Sequence, residues 1–175
     1  MATIALLLTQ DHAFLLLSIF AIAVQCFFTG FIAGGSRSKA FNKDFMERNF
    51  GEIHFKTFGV NPPQGGYPDM GNGRYAERLD YKEWYDFNNR QRAHYNFIEH
   101  IVAVIPFLLI GGIALPIATG ILGWVYFVGR IAYTLGYVRG GPKGRLIGAL
   151  TTDVAILGMW VTSVISIVRI YKGTL

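Results

Sequence analysis

Four predominantly apolar stretches alternate with polar connections along this chain. They cover residues 13–34, 88–113, 117–138 and 146–170. Each is long enough, as a helix, to cross a hydrocarbon layer about 30 Å thick. The second begins inside a polar block and runs on through Pro106, which predicts a kink of the kind a bundle tolerates. Ala114-Leu115-Pro116 reads as a tight reversal. The connections after the second and third stretches are short, so the pattern predicts an antiparallel up-down-up-down bundle. The expected fold is therefore all-α, a single integral membrane four-helix domain over residues 1–175.

The connection over residues 35–86 differs from the others. It reads as one long polar loop, with turn signals at Asn61-Pro62-Pro63-Gln64-Gly65-Gly66 and Gly71-Asn72-Gly73. Its aromatics Tyr67, Tyr75, Tyr81, Trp84 and Tyr85 suggest packing on the membrane surface or against neighbouring subunits. Gly-rich phosphate cradles need a strand before and a helix after, and that context is missing.

Composition agrees with the membrane reading: 52% of residues are hydrophobic and only 15% charged. The net charge of +5 is modest and carries no aromatic-interleaved basic stripe, which excludes a nucleic-acid-binding class. The lone cysteine, Cys26, excludes an intrachain disulfide framework, and the histidines show no metal-ligand spacing. Ten of the 16 Lys and Arg residues lie between Arg37 and Arg92, and three between Arg139 and Arg145. The positive-inside rule places both of these basic connections in the cytoplasm. No Lys or Arg precedes the first stretch, which also exceeds signal-peptide length, so no cleaved signal or organelle address is legible.

The chemistry sits where polar residues enter the apolar stretches. Arg92, Asn96 and Glu99 fall within roughly a 60° arc of a helix, so a cation, an amide and a carboxylate share one face. Such groups at membrane depth face a bundle interior or a wet cavity. Gln25 is expected to hydrogen-bond across helices. His94 points away from the Arg92 arc, toward packing or a subunit contact. Arg130 precedes Arg139 by nine residues and Asp153 follows Arg145 by eight. At 1.5 Å per residue both lie roughly 12–14 Å below the same connection, and they are expected to pair or share a polar network, with Glu99 as an alternative partner for Arg130.

Two runs carry a resemblance: Arg92-Ala93-His94-x-Asn96-x-x-Glu99, and Gly129-Arg130-x-x-Tyr133-x-x-Gly136-Tyr137 followed by Arg145. The chain resembles the MAPEG superfamily, the membrane-associated proteins of eicosanoid and glutathione metabolism, and within it the microsomal glutathione transferases. The resemblance implies a homotrimer that binds glutathione between subunits near the cytoplasmic face. Arg92, Asn96 and Glu99 would hold the peptide, Tyr133 and Tyr137 would line the pocket, and Lys39 would reach a carboxylate. Arg145 would polarise the thiol, with Lys143 as an alternative because the spacing from Tyr137 differs among family branches.

The implied activity is a glutathione transferase, with possible peroxidase activity, acting on hydrophobic or lipid electrophiles from the bilayer. The alternative is a non-catalytic accessory subunit of a larger complex with other membrane proteins. The expected membrane is the endoplasmic reticulum, with a mitochondrial membrane as the alternative.

Overall fold

The computed structural model describes residues 8–67 and 69–175. Among them the secondary structure is helical throughout: α1 (Gln10–Ala40), α2 (Lys43–Phe58), a 3-10 turn (Ala76–Arg78), α3 (Tyr81–Ala114), α4 (Pro116–Gly144) and α5 (Leu146–Lys172). The four long helices α1, α3, α4 and α5 are each long and apolar enough to cross a membrane. Pro116 starts α4 at a position where its missing N–H costs nothing. Pro106 lies inside α3, which continues through it to Ala114.

All four helices outrun the stretches that hydropathy marks. α3 starts at Tyr81 rather than near 88 and has 34 residues, about 51 Å at 1.5 Å per residue. Hydropathy registers only the part immersed in hydrocarbon, whereas the backbone hydrogen-bond ladder continues into the polar layer on either side.

The connection over 35–86 is not a bare loop. It contains α2, capped by the Asn42 side chain, which accepts from the Phe45 N–H at 3.0 Å. Gly59 stops the helix in the left-handed region, with φ 71°. α2 buries Phe45, Met46 and Phe50, and these pack with Phe41, Ala76, Leu79 and Phe87 in a small core of their own. A second device holds the connection. Asp69, 6% exposed, accepts from four backbone N–H groups, those of Gly71, Gly73, Tyr75 and Ala76, at 2.7–3.1 Å. Arg37 is buried; it donates to the Asp69 carbonyl and lies 4.4 Å from the Tyr67 ring centroid.

The bundle core comprises Leu15, Ile22, Phe97, Val104, Leu108, Tyr126, Ala155 and Met159. Large apolar side chains such as Phe20, Phe27, Val102 and Leu157 point outward, as a lipid-facing bundle requires. Polar side chains tie the helices together: Gln25 donates to the Phe127 carbonyl at 3.1 Å, the expected cross-helix bond. Ser163 donates to the Phe107 carbonyl and Ser166 to the Gly111 carbonyl, each at 2.8 Å. Gly148 lets α5 touch α4: a Cβ there would collide with the backbone of Tyr133.

Candidate functional site

Arg130, Tyr133 and Tyr137 occur at helical spacings of three and four on α4, and all three are buried on its inner face. Gly141 then breaks the helix with φ 62°, and its bare Cα admits the Tyr85 hydroxyl. The break turns the chain through Pro142 and places Arg145 at the cap of α5. From there the Arg145 guanidinium reaches back over α4. It donates to the Tyr133 hydroxyl at 2.9 Å and lies 5.2 Å from the Tyr137 ring centroid. Hydrogen bonding to that hydroxyl moves the Arg145 pKa further above its ordinary value, so the group is a permanent cation. Among the described residues this is its single side-chain hydrogen bond, which leaves other N–H groups for a ligand.

A second guanidinium lies beneath. Arg130 is fully buried, donating to Asn96 Oδ1 at 2.7 Å and to the Ala93 carbonyl at 3.0 Å. Its central carbon is 4.3 Å from the centroids of both Phe97 and Tyr133. The expected Arg130–Asp153 pair does not form, nor does the alternative with Glu99. Both carboxylates are exposed, and the one ion pair among the described residues is Lys43–Glu47 on α2. The reason is chemical: a planar, weakly hydrated guanidinium can be held by aromatic faces and neutral oxygens without a carboxylate, here with its buried Nε left without a hydrogen-bond partner among the described residues.

The structure thus brings together Arg145, Tyr133 and Tyr137, and through Arg130 it joins Asn96 to them. Ala93 packs on Tyr133 and Tyr137, so the α3 motif lies at the level of this group. The side chains of Arg92 and Glu99 remain exposed on the outer face of α3. Lys39 is exposed too, and lines a separate cavity of about 620 Å³ with Ser36, Lys82, Glu83, Asp86 and Arg90. Lys143 is exposed, while Arg145 is half-buried. His94 meets Thr29 Oγ1 of α1 at 2.9 Å, which is packing within the chain.

Sequence reading missed the anchoring of Arg130 by Asn96, because it sought a countercharge. It also missed Arg37 and Asp69, although a carboxylate just before Gly71-Asn72-Gly73 is a legible signal for a side chain that caps turn amides.

The arrangement offers a fixed cation beside two tyrosines at a helix N-terminus, where the helix dipole also favours negative charge. An anion of modest size, a carboxylate or a thiolate, suits it. The model of the MAPEG family matches residues 13–165 of the 175.

Proposed function

The chain belongs to the MAPEG family, an integral multi-pass membrane protein of eicosanoid and glutathione metabolism, and on that premise we propose that it is a glutathione transferase of the microsomal type. The observation that carries this reading is the Arg145 guanidinium, anchored on Tyr133 at the α5 N-terminus with N–H groups to spare. Glutathione is an acidic tripeptide whose thiol has an ordinary pKa near 8.5, and only the thiolate is a good nucleophile. A guanidinium beside the sulfur favours the charged form without surrendering its own proton. Lowering the thiol pKa by about two units corresponds to roughly 2.7 kcal/mol.

The thiolate then attacks an electrophilic carbon of a hydrophobic acceptor drawn from the bilayer. The S–C bond forms as the leaving group departs with its electron pair. In the peroxidase variant the thiolate attacks a hydroperoxide oxygen, the O–O bond breaks as an alcohol leaves, and a second glutathione converts the resulting sulfenic acid to disulfide and water.

The rest of the tripeptide is assigned to residues open to a second copy. Arg92 and Glu99 are exposed on α3, suited to a carboxylate and to the ammonium. Asn96 contributes the amide N–H that its bonds to Arg130 and to His100 Nε2 leave free. Lys39, in the cavity between α1 and α3, would reach a carboxylate across a subunit boundary in a homotrimer.

A second reading, an accessory subunit of a larger membrane assembly, is favoured by α2 and its neighbourhood. Ile53, Phe55, Phe58 and Val60 are all exposed there, more apolar surface than a transferase alone needs.

The test is ultraviolet difference absorbance of the detergent-solubilised protein on addition of glutathione near neutral pH. A thiolate band in the wild type, retained in Lys143→Ala and lost in Arg145→Ala, is expected. A folded wild type without the band would sink the transferase and favour the accessory subunit.

A further inference from the structure

α3 begins about two turns before its apolar stretch, and this extension, residues 81–88, reaches the bend that carries Arg145. One face of it is clamped to the connection. Trp84 Nε1 and Asn88 Nδ2 both donate to the Gly71 carbonyl, at 3.1 and 3.0 Å. The Gly71 N–H in turn donates to the Asp69 carboxylate at 2.7 Å. Phe87 is buried in the small core that α2 builds with Phe41 and Leu79. The start of α3 is thus placed by the connection as well as by the bundle.

Tyr85 leaves this extension roughly 100° around the helix from Trp84. Its ring stacks on that of Tyr81, with centroids 6.0 Å apart and planes at 30°. Its hydroxyl rests on Gly141, so closely that a Cβ there would collide with it. Gly141 is the residue at which α4 breaks, with φ 62°, four positions before Arg145. Within the bend itself the main chain folds back on α4: a Cβ on Gly136 would strike the Gly144 carbonyl oxygen, and one on Gly144 that of Gly136. The bend is therefore packed from within by backbone and from α3 by one side chain. Tyr133 fixes the tip of the Arg145 side chain through its hydroxyl, while the bend fixes its root.

We propose that Tyr85 is a positioning residue for Arg145. Braced by the connection, it holds the bend at Gly141 in the shape from which the guanidinium meets the glutathione sulfur. The sulfur in this statement rests on the transferase reading; the brace on the bend rests on the contacts alone. Tyr85 acts through the backbone and touches no reacting atom. Small displacements matter here, since moving a reacting group by about 1 Å can cost on the order of 100-fold. The connection over 35–86 then has a part in the chemistry although it holds none of the reacting groups.

The experiment compares wild type, Tyr85→Ala and Tyr85→Phe as purified protein in detergent, by three readings. Thiolate absorbance of bound glutathione is followed against pH. In Tyr85→Ala the bound thiol should titrate closer to its ordinary value of about 8.5, so the band near neutral pH falls about threefold or more. Binding of S-hexylglutathione, which has no thiol to ionise, should stay within about twofold of the wild type, because the residues that hold the tripeptide are untouched. Trypsin should cut after Arg139, Lys143 or Arg145 about tenfold faster, as the bend opens more often. Tyr85→Phe keeps the ring edge against Gly141 and should match the wild type in all three. Tyr85→Leu, too short to reach Gly141 but still apolar, repeats the comparison should Tyr85→Ala fold poorly. A thiolate titration in Tyr85→Ala that matches the wild type would overturn the proposal. So would parallel loss of thiolate and of S-hexylglutathione binding, which marks general loss of structure. A wild type without the band sinks the transferase reading instead, and wild-type cleavage in Tyr85→Ala would then remove the brace as well.

Discussion

The Arg145 guanidinium donates to the Tyr133 hydroxyl at 2.9 Å, across the junction that joins α4 to α5. That one bond fixes the direction of a half-buried cation whose backbone sits just past a broken helix. Tyr133 is itself held from below by Arg130, stacked 4.3 Å from its ring centroid. The anchor is therefore rigid, and the cation it aims is preorganised.

Tyr133→Phe removes the anchor while keeping the ring. A hydrogen bond involving a charged group contributes about 1.5–3 kcal/mol, so thiolate formation on added glutathione should weaken by about tenfold or more. Arg145 can turn to water, so the melting temperature should stay close to that of the wild type. Undiminished thiolate absorbance in Tyr133→Phe would mean that the hydroxyl does not position the arginine.

Asn96→Ala should act on stability before it acts on any ligand. The fully buried Arg130 loses its 2.7 Å acceptor and keeps only the Ala93 carbonyl. Leaving a buried charge partly unsatisfied costs about 2–3 kcal/mol, to be read from denaturation in detergent. Glu99→Gln, at an exposed position on the same arc, should stay within about 0.5 kcal/mol. Equal stability in the two variants would contradict the role assigned to Asn96.

The contrast between these two residues shows what the sequence could and could not reveal. Helical spacing placed Arg92, Asn96 and Glu99 on one arc, and hydropathy located four membrane helices. Neither sees the distance between elements, and the partners of Arg130 are an amide, a carbonyl and two rings rather than a carboxylate. The same limit hid Asp153, whose depth matched Arg130 but whose side chain is exposed on α5 rather than turned to it. Depth along a helix is legible from residue counts; azimuth across a bundle depends on how the helices pack. In the connection over 35–86, the cap at Asn42, the stop at Gly59 and the spacing of Phe45, Met46 and Phe50 all mark α2. Its charged side chains, among them Lys43, Asp44, Glu47 and Arg48, hid it from a search for membrane spans.

Gly148→Ala should be among the most damaging small substitutions. The added methyl would collide with the backbone N and Cα of Tyr133, which cannot yield as a flexible side chain does. Forcing α4 and α5 apart costs about 1–3 kcal/mol as overpacking, and it also moves Tyr133 away from Arg145. Both a lower melting temperature and a loss of thiolate absorbance are expected. Gly140→Ala, where an added methyl meets open space, is the matched control and should change neither.

Asp69→Ala should loosen the connection and spare the bundle. The carboxylate gathers the N–H groups of Gly71, Gly73, Tyr75 and Ala76, all at 3.1 Å or less, and none has another backbone acceptor among the turns described. Without it these amides must find water, which opens the turn that backs Arg37 and the α2 core. Each unsatisfied buried amide costs about 1–3 kcal/mol, although solvent will relieve part of this at the surface. Limited proteolysis should therefore cut Asp69→Ala between residues 59 and 80 far faster than the wild type, while the four long helices remain protected. Asp69→Asn, which keeps one acceptor oxygen, should fall between the two. Cleavage at the wild-type rate in Asp69→Ala would show that the packing of Phe41, Phe50 and Tyr75 holds the segment without the carboxylate.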